Sequence, residues 1–440
     1  MNLSSVSPAE RIYRARKTGL TFGRIYLGIK ANRFIARRLK PTDMEERWAR
    51  FNRSSAESIY DAAVELRGLI LKGCQFLGTR ADILPREYVQ VLSRLQDRVP
   101  PKPFRVVRQM VECEFGCKLT DLFDSFSPAP IASASLAQVH EAHLRDGRRV
   151  AVKIQYPEIA ALVRSDLANV RALFRAVGLL ERDFNLMPLI DELATYVPRE
   201  LDFLNEGHNA ETLGRLLRNR DDVVVPRIHW EHTTRRVLVM EFMEGLKITD
   251  LEGLKRAGIE ASRVAQILVE VYCEQILTHG FFHADPHPGN ILVQPTENGP
   301  RLVLLDFGLA KDLPPSFRRG VVDCAAALLQ GDVEALADAL LELGFETRDG
   351  SRESLTGIAR LVLEVASRLQ NHSHLEPELA QRIGREVSER VRANPIVRIP
   401  THVVLLGRVL GLLSGVSHSL GSRVDLVRTI LPYAVGNGRS

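Results

Sequence analysis

Apolar positions alternate with polar ones in a few short stretches of this chain and recur at helical spacing across most of the rest. Arg149-Val-Ala-Val-Lys-Ile-Gln155 follows Glu141-Ala-His-Leu144 and the turn pair Asp146-Gly147, the signature of a two-stranded hairpin. Val150, Val152 and Ile154 share one face of its second strand, so Lys153 faces the other way. The small-residue run from Pro130 to His140 reads as a loop leading into this hairpin. Strands are also expected over 223–230 and 236–242. Ile291-Leu-Val-Gln294 and Arg301-Leu-Val-Leu-Leu305 form a second hairpin joined by Asn298-Gly299, which puts Asn290 and Asp306 at its two open ends. Helices are expected over 56–79, 87–97, 159–216, 261–279 and 321–343, with more over 353–433 and no internal repeat. The pattern is α+β, with the strands gathered before a mostly helical C-terminal half.

Composition changes this picture little. With 440 residues, 45% hydrophobic and 26% charged, the chain is ordinary globular material with enough length for two lobes. Five cysteines without a framework spacing point to a reducing compartment, and Cys113 and Cys117 read as packing residues. The net charge of +5 is unevenly spread: residues 1–40 hold ten Lys or Arg against one Glu, a local +9 that leaves −4 for the other 400. Basicity therefore belongs to a leader, and no nucleic-acid partner is expected. Residues 11–40 mix basic with aliphatic and aromatic residues, as a segment on an anionic membrane surface does; a solvated leader is the other reading. Phe22, Ile25, Tyr26 and Ile29 share one helical face there, with Leu27 and Phe34 opposite. No stretch reads as a signal peptide or a membrane span. The best candidate, His402 to Leu420, contains Arg408 and His418, so the expectation is a cytoplasmic protein, or one peripheral at the membrane.

The chemistry concentrates in Phe281-Phe-His-Ala-Asp-Pro-His-Pro-Gly-Asn-Ile-Leu-Val293, followed by Leu304-Leu305-Asp306-Phe307-Gly308. An aspartate with an asparagine five positions later, then Asp-Phe-Gly after an apolar strand, has the order of a kinase catalytic loop and its metal-binding aspartate. Phosphoryl transfer demands charge neutralisation more than covalent help, so hard oxygen ligands from Asn290 and Asp306 would hold divalent cations. Asp285 would orient or deprotonate the nucleophile. A metal site built from His283 and His287 is the competing reading, although Pro286 and Pro288 keep a helix from presenting both on one face. Val-Ala-Val-Lys153 matches the kinase strand whose lysine grips phosphates, and Glu200 and Glu206 are the helical glutamates available to pair with it. Met240-Glu-Phe-Met-Glu-Gly245 ends an apolar strand where backbone groups near Glu241 and Met243 would meet adenine. After Gly308 there is no Ala-Pro-Glu and no long Ser/Thr loop to seat a peptide, which favours a small substrate over a protein.

These residues together resemble the UbiB/AarF (ADCK) atypical kinase-like family from about Leu66 to Leu431. Lys72-Gly73-Cys74-Gln75 matches its Lys-x-Gly-Gln motif in lysine and glutamine, with Thr79-Arg80 and Leu95-Gln-Asp-Arg-Val-Pro-Pro101 following. Ala132-Ser133-Ala134-Ser135-Leu136-Ala137-Gln138, with Val139 after it, matches the alanine-rich nucleotide loop. Glu200-Leu201-Asp202 matches the Glu-x-Asp motif, with Glu206 at the place of the ion-pair glutamate. His283 to Asn290 and Asp306-Phe-Gly308 match outright; Cys74 departs from a family glycine.

The resemblance implies a two-lobed protein-kinase-like fold that binds ATP or ADP with Mg²⁺, has weak ATPase activity and supports ubiquinone or other isoprenoid-lipid metabolism, with a lipid or quinone precursor as substrate. It gives Lys153, Glu206 and Asp285 catalytic roles and Asn290 and Asp306 the metal, while Lys72, Gln75, Glu200 and Asp202 gate the site. The expected domains are a basic leader (1–40), a helical extension (41–125), a kinase-like N-lobe with inserted helices (126–245) and a helical C-lobe (246–440). A small-molecule phosphotransferase of antibiotic-kinase type and a catalytically silent nucleotide-binding scaffold are the alternatives.

Overall fold

The structure is a computed structural model that describes residues 7–36, 41–78, 84–96, 101–180, 187, 194, 197, 201–347, 350–371, 396–398, 400–422 and 429. The chain divides into two compact units, Met1–His208 with Arg227–Met243, and Asn209–Pro226 with Glu244–Ser440. In chain order the strands that matter are β1 (Phe123–Ser133), β2 (Ala137–Leu144), β3 (Arg149–Gln155), β4 (Val223–Val224), β5 (Val237–Glu241), β6 (Leu246–Lys247), β7 (Phe281–His283), β8 (Ile291–Thr296), β9 (Gly299–Leu304) and β10 (Ala310–Asp312).

The first unit is built on an antiparallel sheet of order β1-β2-β3-β5. Val150, Val152, Ile154, Val237 and Val239 are buried on one side of it against Val107, Met110 and Val111 of the helix Phe104–Phe115. The expected hairpin is therefore present, with a third strand that the sequence did not announce. Most of the expected loop from Pro130 to His140 is strand, β1 running to Ser133 and β2 starting at Ala137, and β1 is an edge strand that carries Pro128 and Pro130 where its pairing with β2 is irregular. Proline is tolerated there because an edge needs no outward N–H in the ladder.

Helices Pro8–Ile35, Pro41–Leu66, Gly68–Gly78 and Arg86–Leu92 make up the rest of the N-terminal part of this unit, with Ile159–Leu180. The single helix expected over 56–79 is broken at Arg67, which takes a left-handed φ of 55° before Gly68 at 58°. The Arg14 guanidinium explains the break: it donates to the freed carbonyl of Leu66 and clamps the Asp166 carboxylate, with Nε to Oδ1 at 2.8 Å. Burial pushes the Asp166 carboxyl up and the Arg14 bond opposes that shift. The long helical region expected over 159–216 is not one helix, since Leu201 and Asp202 are not helical and a separate helix spans Phe203–Leu216.

In the second unit the sheet order is β4-β9-β8-β6, with β8 and β9 paired from Thr296 with Gly299 at the closed end to Ile291 with Leu304 at the open end. Gly245 lets the chain pass close to β8: a Cβ there would lie 2.9 Å from that of Leu292. Only Val223–Val224 of the strand expected over 223–230 forms, parallel to β9. Helix Ala261–Cys273 buries Val264, Ile267, Leu268, Val271 and Tyr272, then widens into a π turn over Glu274–His279 that stops at left-handed Gly280. Helices Pro315–Gln330, Val333–Glu342 and Arg352–Asn371 pack through Ala327, Leu336, Leu340, Leu355 and Ala359. Among the described residues no helix is long and apolar enough to cross a membrane.

Candidate functional site

In the first unit Lys153 sits in the middle of β3, between Val139 on β2 and Leu238 on β5. Its ammonium donates to the Glu206 carboxylate at 2.6 Å and lies 5.3 Å from the Phe203 ring centroid. The side chains are 12% and 3% exposed, so the pair is held in a low-dielectric setting where a lone charge of either sign would be costly. Glu206 falls in the first turn of the helix Phe203–Leu216, where the positive end of the helix dipole favours a carboxylate. Asp202 stands just before that helix and accepts the Leu204 N–H at 3.2 Å, as an N-capping aspartate does.

The alanine-rich segment is a tight reversal between β1 and β2. Ala132 pairs with Val139 and Ser133 with Gln138, and the Ala134 N–H donates to the Ala137 carbonyl at 2.8 Å. Tyr156 pins the reversal: its hydroxyl donates to the Ala134 carbonyl and takes the Ser133 hydroxyl at 3.0 Å, and its N–H reaches the Leu136 carbonyl. Leu136 is buried with Leu69, Ile159 and Val163, while the Gln138 amide is occupied by the Lys102 backbone and His140. Methyl-bearing residues thus form a short, fixed loop where glycines would leave a mobile one. At the end of β5 the Glu241 N–H donates to the Arg227 carbonyl and the Phe242 N–H to that of Arg149; Met243 closes the unit.

Of the four expected gating residues, Gln75 donates to the Leu95 carbonyl at 3.0 Å, and Lys72 lies half-buried on the same helix. Asp202 is the capping group just described, and Glu200 lies outside the described residues. Cys74 is buried among Ile59, Ala63, Leu71 and Leu92, and burial pushes its thiol up to about 12. Its side chain fills the packing between helices.

In the second unit Asn290 and Asp306 flank the open end of the β8–β9 hairpin, where the Leu305 N–H donates to the Asn290 carbonyl at 2.8 Å. Asp285 lies five positions before Asn290 in a turn closed by the His287 N–H on the Asp285 carbonyl and the Asn290 N–H on that of His287. Asp306 takes a left-handed φ of 58°, a conformation costing a non-glycine residue on the order of 1–3 kcal/mol unless its surroundings impose it. Those surroundings are visible. His283 Nε2 meets the Asp306 carbonyl, which only accepts, so the ring carries its proton there and Nδ1 takes the Tyr272 hydroxyl at 2.8 Å. Burial, and secondarily the Asp285 charge, push the Tyr272 phenol well up, which keeps it a donor. Asn209 donates to the Phe307 carbonyl at 2.9 Å, and the Phe307 ring, fully buried, meets His283 edge-on.

That arrangement disposes of the two-histidine metal reading. Both nitrogens of His283 are used in hydrogen bonds, and His287 Nδ1 accepts the Gly289 N–H. The oxygen donors of Asn290 and Asp306 suit a hard cation such as Mg²⁺ better than imidazole would.

Comparison with known proteins bears on the family and the fold. The ABC1 atypical kinase-like domain matches residues 94–340, more than half of the chain. The chain belongs to the ABC1 atypical kinase-like family. It is 35% identical to "AarF domain-containing protein kinase 1" of Xenopus tropicalis, over 84% of this chain and 71% of that one. It is 33% identical to "Protein ACTIVITY OF BC1 COMPLEX KINASE 8, chloroplastic" of Arabidopsis thaliana, over 86% of this chain but only 54% of that one. Among solved structures, the complex of Rv3197 with erythromycin from Mycobacterium tuberculosis superposes with a TM-score of 0.58 at 23% identity, covering 88% of this chain and 97% of that one. The fold is kinase-like, mixed α and β with small sheets and many helices.

For an ABC1-type chain the residues that sequence reading did not single out are the supports behind Asp306. Tyr272 and Asn209 carry no motif: Tyr272, near the end of its helix, acts on the Asp-Phe-Gly segment through His283, and Asn209, midway along Phe203–Leu216, bonds the Phe307 carbonyl directly. Gln275 is equally silent in sequence; its buried side chain accepts the His283 N–H at 2.9 Å from within the π turn.

Proposed function

We propose that this ABC1-family chain is an ATP- and Mg²⁺-dependent atypical kinase-like enzyme, an ATPase or a phosphotransferase acting on a small or lipid-linked substrate, in ubiquinone or other isoprenoid-lipid metabolism. The observation that carries the reading is the pair of prepared half-sites: Lys153 held by Glu206 at 2.6 Å, and Asp306 held left-handed beside Asn290. Lys153 would bind phosphate oxygens, with Glu206 keeping its ammonium charged and aimed. Asn290 and Asp306 would hold Mg²⁺, which when bound neutralises phosphate charge. Asp285 would orient the attacking hydroxyl or water. The reversal at Ala132–Val139 would cover the phosphates, and backbone groups near Glu241 and Met243 would meet adenine. Lys72, Gln75, Glu200 and Asp202 would gate access.

A small acceptor is favoured by the segment after Gly308. β10 pairs at once with β7, the Leu313 N–H donates to the Gly280 carbonyl, and a helix already begins at Pro315. Little chain is left there to seat a peptide.

The test is Mg²⁺-dependent ATP hydrolysis by the wild type and Asp285→Asn, with and without detergent-dispersed phenolic mimics of a quinone-precursor head. Turnover stimulated by the mimic and lost in the variant is the expected result. Nucleotide binding without turnover, unchanged in Asp285→Asn, would make the chain a scaffold. Strong transfer to an aminoglycoside would make it a small-molecule phosphotransferase instead.

A further inference from the structure

The helix Pro8–Ile35 is arranged against the usual sense of an amphipathic helix. The residues it buries are polar: Arg14, Thr18 and Asn32 are 4%, 5% and 4% exposed. Arg14 is satisfied within the unit by Asp166 and the Leu66 carbonyl, and Asn32 by Arg47 at 2.6 Å. Beside them Phe22 and Ile25 pack into the cluster around Ile59 and Leu66, and Gly28 is so close to Phe51 that a Cβ would overlap its ring. The face expected from sequence to meet a membrane is thus partly spent on folding.

The opposite face is the informative one. Tyr13, Leu20, Leu27 and Phe34 recur every seven residues and are 50%, 49%, 66% and 63% exposed. Between them on the same seam stand Arg16, Arg24 and Lys30, all exposed, so the outer line alternates one large apolar side chain with one cation about every helical turn. Ile12 and Arg33 flank it, also exposed. Two acidic groups stand at the N-terminal end: Glu10, whose backbone N–H meets the Ser7 hydroxyl, and Glu65 of the next helix, which takes Lys17 and the Tyr13 hydroxyl. Leu20, Leu27 and Phe34 lie beyond them.

We propose that this outer seam docks the first unit on an anionic lipid bilayer, with Leu20, Leu27 and Phe34 entering the interface and Arg16, Arg24 and Lys30 reaching lipid phosphates. Alternation of this kind suits a planar boundary, where aliphatic stems insert and cationic heads stay at the phosphate level. It suits a second helix poorly. In a heptad with Tyr13, Leu20, Leu27 and Phe34 at one core position, the other core position is Arg16, Gly23 and Lys30, and two copies would set like charges together. The proposal is independent of any nucleotide chemistry.

Flotation of the full chain with vesicles of phosphatidylcholine alone, and of phosphatidylcholine mixed with phosphatidylglycerol, tests it. Binding is expected only to the mixed vesicles and should weaken with added salt. Replacing Leu20→Ser, Leu27→Ser and Phe34→Ser together should reduce it by ~tenfold or more. Arg16→Gln and Arg24→Gln should each cost roughly fivefold. Because every substituted side chain is exposed, the thermal unfolding midpoint should stay within a few degrees of wild type, which separates lost docking from lost fold. The proposal is overturned if the wild type does not float with anionic vesicles, or if the triple serine variant floats as well as wild type. It is also overturned if the wild type is a dimer in solution and that variant a monomer, for the seam would then belong to a second copy.

Discussion

The candidate residues of the two units are prepared by different means. Around Lys153 the charge is positioned by another charge, with the ammonium and the Glu206 carboxylate joined at 2.6 Å and almost wholly removed from solvent. Around Asp306 the side chain is positioned by its own backbone, turned left-handed and held through carbonyls that His283 and Asn209 grip. A buried ion pair fails abruptly when one partner goes, because the survivor is left uncompensated. A backbone held by several neutral hydrogen bonds should lose accuracy by degrees as each is removed.

Mutation can sharpen that contrast. Asp285→Asn leaves both supports intact and should reduce kcat by about 10²–10⁴-fold with the melting temperature unchanged, the range expected for loss of a positioned general base. A variant within tenfold of wild type would remove Asp285 from the chemistry. Glu206→Ala should destabilise the chain by about 3–5 kcal/mol in denaturant titration, since Lys153 would remain buried without its partner. In the double variant Glu206→Ala with Lys153→Met much of that loss should return; no recovery would mean the pair is not what makes the first unit's candidate residues rigid.

The supports behind Asp306 should respond more mildly. His283→Phe keeps an aromatic ring against Phe307 but gives up the bonds to the Asp306 carbonyl and the Tyr272 hydroxyl, so a loss of about 1–3 kcal/mol is expected. Its Mg²⁺ requirement for nucleotide binding should shift to higher concentration. An unchanged Mg²⁺ titration would show that Asp306 keeps its conformation without this clamp. Asn209→Ala, leaving the Phe307 carbonyl without its donor, should cost about 1 kcal/mol and move the same titration less. If Asn209→Ala exceeded Glu206→Ala in its effect on stability, the proposed difference between the two sets of residues would be reversed.

The parts that were legible in sequence share a property: their signal is local. Val-Ala-Val-Lys153 shows its strand by alternation, and Asn298-Gly299 shows the hairpin that brings Asn290 and Leu305 together. Breaks and supports were not legible because their causes lie far away in the chain. The break at Arg67 has one local sign, the glycine beside it, but what receives the freed Leu66 carbonyl is remote, Arg14 on another helix. The leader misled in the same way. Its two apolar faces cancel in any helical pattern, and only the packing of Phe22 and Ile25 decides which of them is left outside.

By itself, then, the order of residues determined the strand bearing Lys153, the hairpin with Asn290 and Asp306 at its ends, and membership in the ABC1 family, because turn chemistry and alternation act over a few neighbouring positions. Only the tertiary structure decided that Asp306 turns left-handed under His283, and that the basic helix shows Leu20, Leu27 and Phe34 to solvent. Each of these depends on which distant group is near enough to accept a proton or exclude water, and that is a property of packing.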